Sequence, residues 1–250
     1  MPGIGGNGAV TRSTLRQQLA DALRDEVLAG RLQPGQEFTV KEIAEQYGVS
    51  ATPVREALVD LSAQGLLDAV QHRGFEVRAY SLADYRGMLQ ARALVTDGIF
   101  RRLTATGIDL DADPGAAGAL AGVRRRGEEA RRAAAAGDLD VLIGYDVRFW
   151  RELGGLCGNP YLTDFLHRLR VQTWACAVQH LRRVTAPGNR TDPPDPDRPA
   201  GAPPLRGLLW AGHTDLVDAL ARRDPAGAHA VVTAYDAHSL ALLERLAAVG

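Results

Sequence analysis

The sequence predicts a mainly α-helical chain in two parts, three helices with a β-ribbon first and an all-α helical bundle after. Three observations predict it. Apolar residues recur at helical spacing through most of the chain. The stretch from Leu66 to Ala79 breaks that period around His72-Arg73-Gly74 and reads as two short strands. From Ser81 onward no strand signal returns. The 250 residues suffice for one small and one medium core. Residues 1–12, Gly-rich and aperiodic, read as a disordered tail, 13–80 as the first domain and 81–250 as the second.

Each element of the first part has its own signal. Leu15, Leu19, Leu23 and Val27 recur every four residues and mark a helical stripe from Ser13. Leu32-Gln33-Pro34-Gly35 then turns the chain. A second helix opens with Thr39 as N-cap, Glu42 at the third helical position for a capping box, and Phe38 with Ile43 as a hydrophobic staple. Gly48 suits the left-handed residue that closes it. A third helix starts near Ser50, with Pro53 tolerated in its first turn and Val54, Ala57, Leu58 and Leu61 on one face. Gly65 stops it. Helix, short helix, tight turn, helix and β-wing within about 65 residues is the winged helix-turn-helix pattern.

Composition narrows the functional classes without naming one. Cys157 and Cys176 cannot build a disulfide framework, and no C-x-x-C motif points to structural zinc. Such sparse cysteine fits a reducing compartment. MPGIGGNGAV lacks the basic start and apolar run of a signal peptide, and no stretch approaches a membrane span. The expected location is therefore the cytoplasm, with no membrane partner. Net charge is −1 overall. Residues 1–80 hold 8 basic and 10 acidic side chains, a net −2 that argues against strong non-specific attraction to nucleic acid. Any DNA contact must rest on where the few basic groups stand.

The first part resembles the GntR family of regulators over roughly residues 15–80. The resemblance is carried by Gly30, Leu32, Pro34 and Gly35, by KEIAEQYGVS (41–50), by VSATPVREAL (49–58), and by Gly65-Leu66 leading to Arg73-Gly74. It implies that Ser50, Ala51, Thr52 and Arg55 face DNA at the start of the recognition helix. It likewise implies that Lys41 touches phosphate and that His72, Arg73 and Gly74 approach the minor groove. Hydroxyls and amides at a helix N-terminus suit phosphate, and an arginine one turn in reaches a guanine edge or a phosphate. Many relatives carry Arg where this chain has Ala51, and the change removes a possible base contact. Read alone, Arg55 could equally pair with Glu56 or Asp60, and Lys41 could be a solvated surface charge.

In the second part, four helices each place a polar group on an apolar face. These are Arg92 among Tyr85, Leu89, Thr96, Ile99 and Leu103, Asp146 among Leu142, Ile143 and Phe149, His213 among Leu205, Leu209 and Leu216, and Tyr235 with His238. Asp138 caps the helix of Asp146, and Asp224 with Pro225 opens the last one. A helix is expected over about 161–185 and another over 205–222, joined by a Pro-rich flexible insertion, 186–204. The arginine runs 124–126 and 131–132 read as solvated charge beside Glu128 and Glu129. Buried charges left alone are costly, so the four polar groups should converge on one another or on a ligand in a polar pocket.

This half resembles the FCD ligand-binding domain, which accompanies such heads in the FadR subfamily. DVRFWRELGGLCGNPYL (146–162) carries the resemblance, with His213 and Asp224 eleven residues on. Relatives commonly hold a divalent metal at positions that read here Asp146, Trp150, His213 and Tyr235. Only Asp146 and His213 are ligand types, and His238 would have to reach across ~5 Å of helix rise. The expectation is a degenerate site with no metal and no other cofactor. Arg92 matches a pocket arginine of the family and would hold a carboxylate effector, with Asp146, Trp150, His213, Tyr235 and His238 around it. The chain is thus expected to be a homodimeric transcriptional regulator on a pseudo-palindromic operator, tuned by a small molecule. Two alternatives stay open, a regulator whose helical domain only dimerises and a metal-dependent hydrolase using Asp146 and His213. The second lacks a nucleophile, a phosphate loop and a full metal shell.

Overall fold

The computed structural model describes residues 7–106, 116–156, 158–185 and 205–249. Contacts divide the chain into two compact units, Met1–Tyr80 and Ser81–Gly250.

The first unit holds α1 (Asn7–Leu28), β1 (Glu37–Phe38), α2 (Val40–Tyr47), α3 (Ala51–Ala63), β2 (Leu67–Val70) and β3 (Gly74–Val77). Leu19, Leu23 and Val27 of α1 are buried with Val54, Ala57, Leu58 and Leu61 of α3, as their shared spacing requires. The capping box is fully formed. The Glu42 amide donates to Thr39 Oγ1 over 3.2 Å, and the Thr39 amide donates to the Glu42 carboxylate over 2.7 Å. Those bonds hold the Glu42 carboxyl below its ordinary range. Gly48 closes α2 at φ 65°.

Two findings depart from the sequence reading. Helix α1 begins at Asn7, inside the tail expected to be aperiodic; residues 1–6 lie outside the described ones. Extending an existing helix costs little once its nucleus is made, so weak periodicity does not stop it. The sheet has three strands in the order β1-β3-β2, where two were expected. Strand β1, only two residues long, pairs antiparallel with β3 through Glu37 with Glu76 and Phe38 with Phe75. Two residues are too few to show a period of two in the sequence.

The second unit is all helical among the described residues: α4 (Leu82–Thr106), α5 (Ala116–Ala136), α6 (Leu139–Gly155), α7 (Pro160–Thr185), α8 (His213–Ala221) and α9 (Pro225–Val249). Packing follows a closed circuit, α4 on α9, α9 on α8, α8 on α5, α5 on α6, α6 on α7 and α7 on α4, with α7 also touching α9. Asp138 and Asp224 cap α6 and α9 by accepting from the Val141 and Gly227 amides. Gly127 lets α5 close on its neighbours, since a Cβ there would stand 3.0 Å from the Phe149 ring and 3.3 Å from His213 Cβ. The helix expected over 205–222 is shorter, because Leu205 to Gly212 form turns through Gly207 at φ 75°. The backbone at Leu205 and Arg206 lies against Gly137, where a Cβ would meet Arg206 N at 2.6 Å. The Pro-rich segment 186–204 and Cys157 lie outside the described residues.

The arginine runs do more than face solvent. Arg124 reaches Asp218 on α8 and Arg126 reaches Glu152 on α6, each over 2.5 Å, so α5 is tied to both neighbours by half-exposed pairs.

Candidate DNA interface and buried charge cluster

In the first unit, Ser50, Ala51, Thr52 and Arg55 are all exposed at the start of α3. Ser50 stands at the N-cap without a side-chain capping bond, so its hydroxyl is not spent on the helix. Arg55 has no ion-pair partner among the described residues, and Asp60 pairs instead with Arg16 over 3.5 Å. Lys41 is 3.7 Å from Glu45 with both side chains largely exposed. A pair of that kind is weak and gives way readily to phosphate. Lys41, Ala51 and Arg55 line one open groove between α2 and α3.

The wing tip carries His72, Arg73 and Gly74. His72 sits at φ 63°, in the left-handed region where a non-glycine residue is strained, and presents an exposed ring. Arg73 pairs with Glu37 of β1 over 2.9 Å. Gly74 is set by packing, since its φ is 119° and a Cβ would meet Phe38 O at 2.4 Å.

The second unit brings its polar residues together at Asp146, which is 1% exposed. Trp150 Nε1 donates to Asp146 Oδ1 over 3.0 Å, and Trp174 Nε1 donates to Oδ2 over 2.7 Å. His213 Nε2 lies 2.9 Å from Oδ1. Arg170 Nη1 stands 3.8 Å from Oδ2, an ion pair too long for a hydrogen bond. Burial opposes ionisation of Asp146, but the Arg170 charge and the bonds from His213 and Trp174 outweigh it and hold the carboxyl below its ordinary range. The group is an anion, and each of its oxygens accepts at least one N–H bond from the protein.

Arg92, 2% exposed, pairs with Asp236 through Nη2. Its guanidinium carbon is 5.1 Å from the Tyr235 ring centre, and that of Arg170 is 4.6 Å from the same ring. Burial pulls the Arg170 proton affinity down, and the Arg92 charge adds to it. Arg92 Nε and Nη1, Arg170 Nη1 and His213 Nδ1 are all buried without a hydrogen-bond partner among the described residues. Asp146, His213, Tyr235 and His238 line a cavity of about 40 Å³, together with Tyr85, Trp210 and apolar residues. That is room for roughly one water, against about 300–1,000 Å³ for a typical ligand pocket. The Trp210 ring fills space beside it, 4.6 Å from His213 and 4.5 Å from Tyr235. His238 Nε2 donates to the Leu208 carbonyl over 2.8 Å.

The donor set does not fit the divalent metal that the FCD resemblance implies. Both Asp146 oxygens accept N–H bonds, and His213 Nε2 is directed at one of them. Trp150 offers a donor rather than a lone pair. Burial raises the Tyr235 hydroxyl pKa, against the pull of Arg170, so its proton stays on. No cluster of three or more His, Cys, Asp or Glu suited to a metal occurs among the described residues.

Thus Asp146, Trp150, His213 and Tyr235 meet in one cluster, and His238 joins the cavity wall. Arg92 touches Tyr235 but pairs with Asp236. Sequence reading missed Arg170, Trp174, Asp236 and Trp210. The first two had a signal, since Arg170, Trp174, Ala177 and Leu181 share one helical face. Asp236 and Trp210 had none.

Comparison with known proteins agrees with this architecture. Residues 15–77 match the family described as "Bacterial regulatory proteins, gntR family", and residues 88–237 match the FCD domain. The chain is 29% identical over 209 residues, 84% of each protein, to a probable D-xylose utilization operon transcriptional repressor of Paenarthrobacter nicotinovorans. It is 36% identical over 72 residues, 29% of this chain and 33% of the relative, to the HTH-type transcriptional regulator McbR of Escherichia coli K12. The solved structure of E. coli McbR/YncC superposes with a TM-score of 0.69 at 22% identity, over 92% of this chain and 97% of that one. A putative GntR regulator from Rhodococcus sp. RHA1 gives 0.63 at 20% identity with the same coverage. At those identities the structures speak for the fold alone. No helix among the described residues is long and apolar enough to cross a membrane. With a winged head and an FCD domain each matched in its own unit, the chain belongs to the gntR family of bacterial regulators, and it is a DNA-binding transcriptional regulator.

Proposed function

We propose that this regulator binds a pseudo-palindromic operator as a homodimer and that a small anionic effector, a carboxylate, controls the binding through the helical unit without a metal. The observation that carries the effector reading is the group of buried guanidinium N–H positions without partners on Arg92 and Arg170, both packed on the ring of Tyr235, which lines the small cavity. Unpaired buried donors on a guanidinium are costly, and an oxyanion satisfies them with charge-assisted bonds. A bound carboxylate competes with Asp236 for Arg92, whose Nε and Nη1 are open.

Head contacts follow the exposed groups. Ser50, Thr52 and the amides of α3 meet phosphate, Arg55 meets a base edge or phosphate, and Lys41, His72 and Arg73 flank them. Ala51 contributes no hydrogen bond, and Gly74 holds the wing. A second reading, in which the helical unit only dimerises, draws support from the small cavity and from the internal pairing of Asp146.

The test begins with sequences selected from random DNA. On the selected site, Arg55→Ala and Arg73→Ala should each weaken binding by ~1–3 kcal/mol in gel shifts. Unchanged titrations for both would overturn the docking. Arg92→Ala should abolish the response to carboxylates while operator affinity is kept. A regulator that no carboxylate displaces would favour the second reading.

A further inference from the structure

Arg170 of α7 carries no motif and pairs with no residue near it in sequence, yet it stands at the centre of the buried cluster. It is 2% exposed. Its guanidinium carbon lies 4.2 Å from the Trp150 ring centre and 4.6 Å from that of Tyr235. Nη1 lies 3.8 Å from Asp146 Oδ2. So Asp146, Trp150 and Tyr235 all touch this one cation, and His213 bonds the same carboxylate. These are the four positions at which the FCD resemblance implies metal ligands.

We propose that Arg170 is the resident cation of this site, taking the place of a divalent ion, and that its open Nη1 is a docking point for an anionic ligand. The residue types agree with the first half. Trp150 and Tyr235 are poor ligands for a metal, but their faces attract a flat guanidinium. A buried carboxylate needs a compensating positive charge, and Asp146 has Arg170 for it. The second half follows from hydrogen-bond accounting. Arg170 is held by ring faces and a long ion pair, which leave Nη1 buried and unbonded. A buried guanidinium N–H without an acceptor is satisfied by an oxyanion through a charge-assisted bond. This second half rests on the effector reading above, whereas the first half does not.

Two arms on the full-length chain separate them. The first measures zinc by titration and elemental analysis. Trp150→His/Tyr235→His introduces two imidazoles but keeps Arg170, and adding Arg170→Leu empties the centre. The triple variant should bind about one zinc per chain, at least about tenfold tighter than the double variant. Equal affinity in the two, or a folded triple variant that binds no zinc, overturns the resident-cation assignment. The second arm needs no drastic variant and reads thermal shifts with lactate, benzoate and inorganic phosphate. At least one should raise the Tm of the unmodified protein, and Arg170→Lys, which keeps the charge but not the flat stacking edge, should lose most of that shift. A full shift in Arg170→Lys overturns the docking role. No shift with any of the three overturns that role and counts against the effector reading, while the zinc arm still decides the first half.

Discussion

Asp146 shows how much one buried carboxylate can organise. Three ring nitrogens, from Trp150 of α6, Trp174 of α7 and His213 of α8, converge on it, and its charge is matched by Arg170. Removing that charge leaves the guanidinium unpaired in the interior, so Asp146→Asn should cost roughly 3–5 kcal/mol in urea unfolding. The pH dependence has a definite sign. The folded carboxyl is held below its ordinary value, so its contribution is complete above the unfolded pKa of about 4 and is lost as pH falls through the lower folded pKa. Urea midpoints measured downward from neutral pH should therefore fall on an acid limb that Asp146→Asn shortens. An identical acid limb in the variant would contradict the assignment. Burial, with the Asp84 charge adding to it, pushes the Cys176 thiol up to about 12.

Among the elements, the wing shows what a local motif can and cannot foretell. Its turn residues were legible in His72-Arg73-Gly74, but the reason for glycine at 74 was not. It lies in the close approach of Phe38 O from β1, a strand too short to announce itself. Gly74→Ala should cost about 1–3 kcal/mol from backbone strain, with further loss from the clash. Thermal unfolding checks the stability, and gel shifts should show weakened DNA binding even though no contacting side chain was changed. A variant as stable as the parent would mean that β1 moves away freely. Helix α2 is the opposite case, since Thr39, Glu42 and Gly48 announce both ends and the structure realises each.

For the whole molecule, assembly is the decisive property. One recognition helix reads too few base pairs for a useful site, and two heads on a pseudo-palindrome solve that by symmetry. Light scattering should show a particle of twice 26.8 kDa, with the helical unit as the main contact. A 26.8 kDa particle at micromolar concentration, with and without DNA, would defeat it. Because the head is net acidic, its operator affinity should fall only shallowly with salt. A steep slope would mean that more phosphates are neutralised than Lys41, Arg55 and Arg73 can account for.

The sequence by itself determined the class of each part, because helix periods, caps and the GntR-like runs are local and repeat what the backbone needs. It also determined that Asp146, His213, Tyr235 and Arg92 had to find partners, since charge and polarity on an apolar face cannot stay unpaired. Which partners they found was decided by tertiary structure. Arg170 and Trp174 come from α7, 24 and 28 residues beyond Asp146, and Asp236 meets Arg92 across 144 residues. Pairing at such separations depends on how α4, α6, α7 and α9 pack, a global outcome of burying every apolar face at once. No residue spacing encodes it.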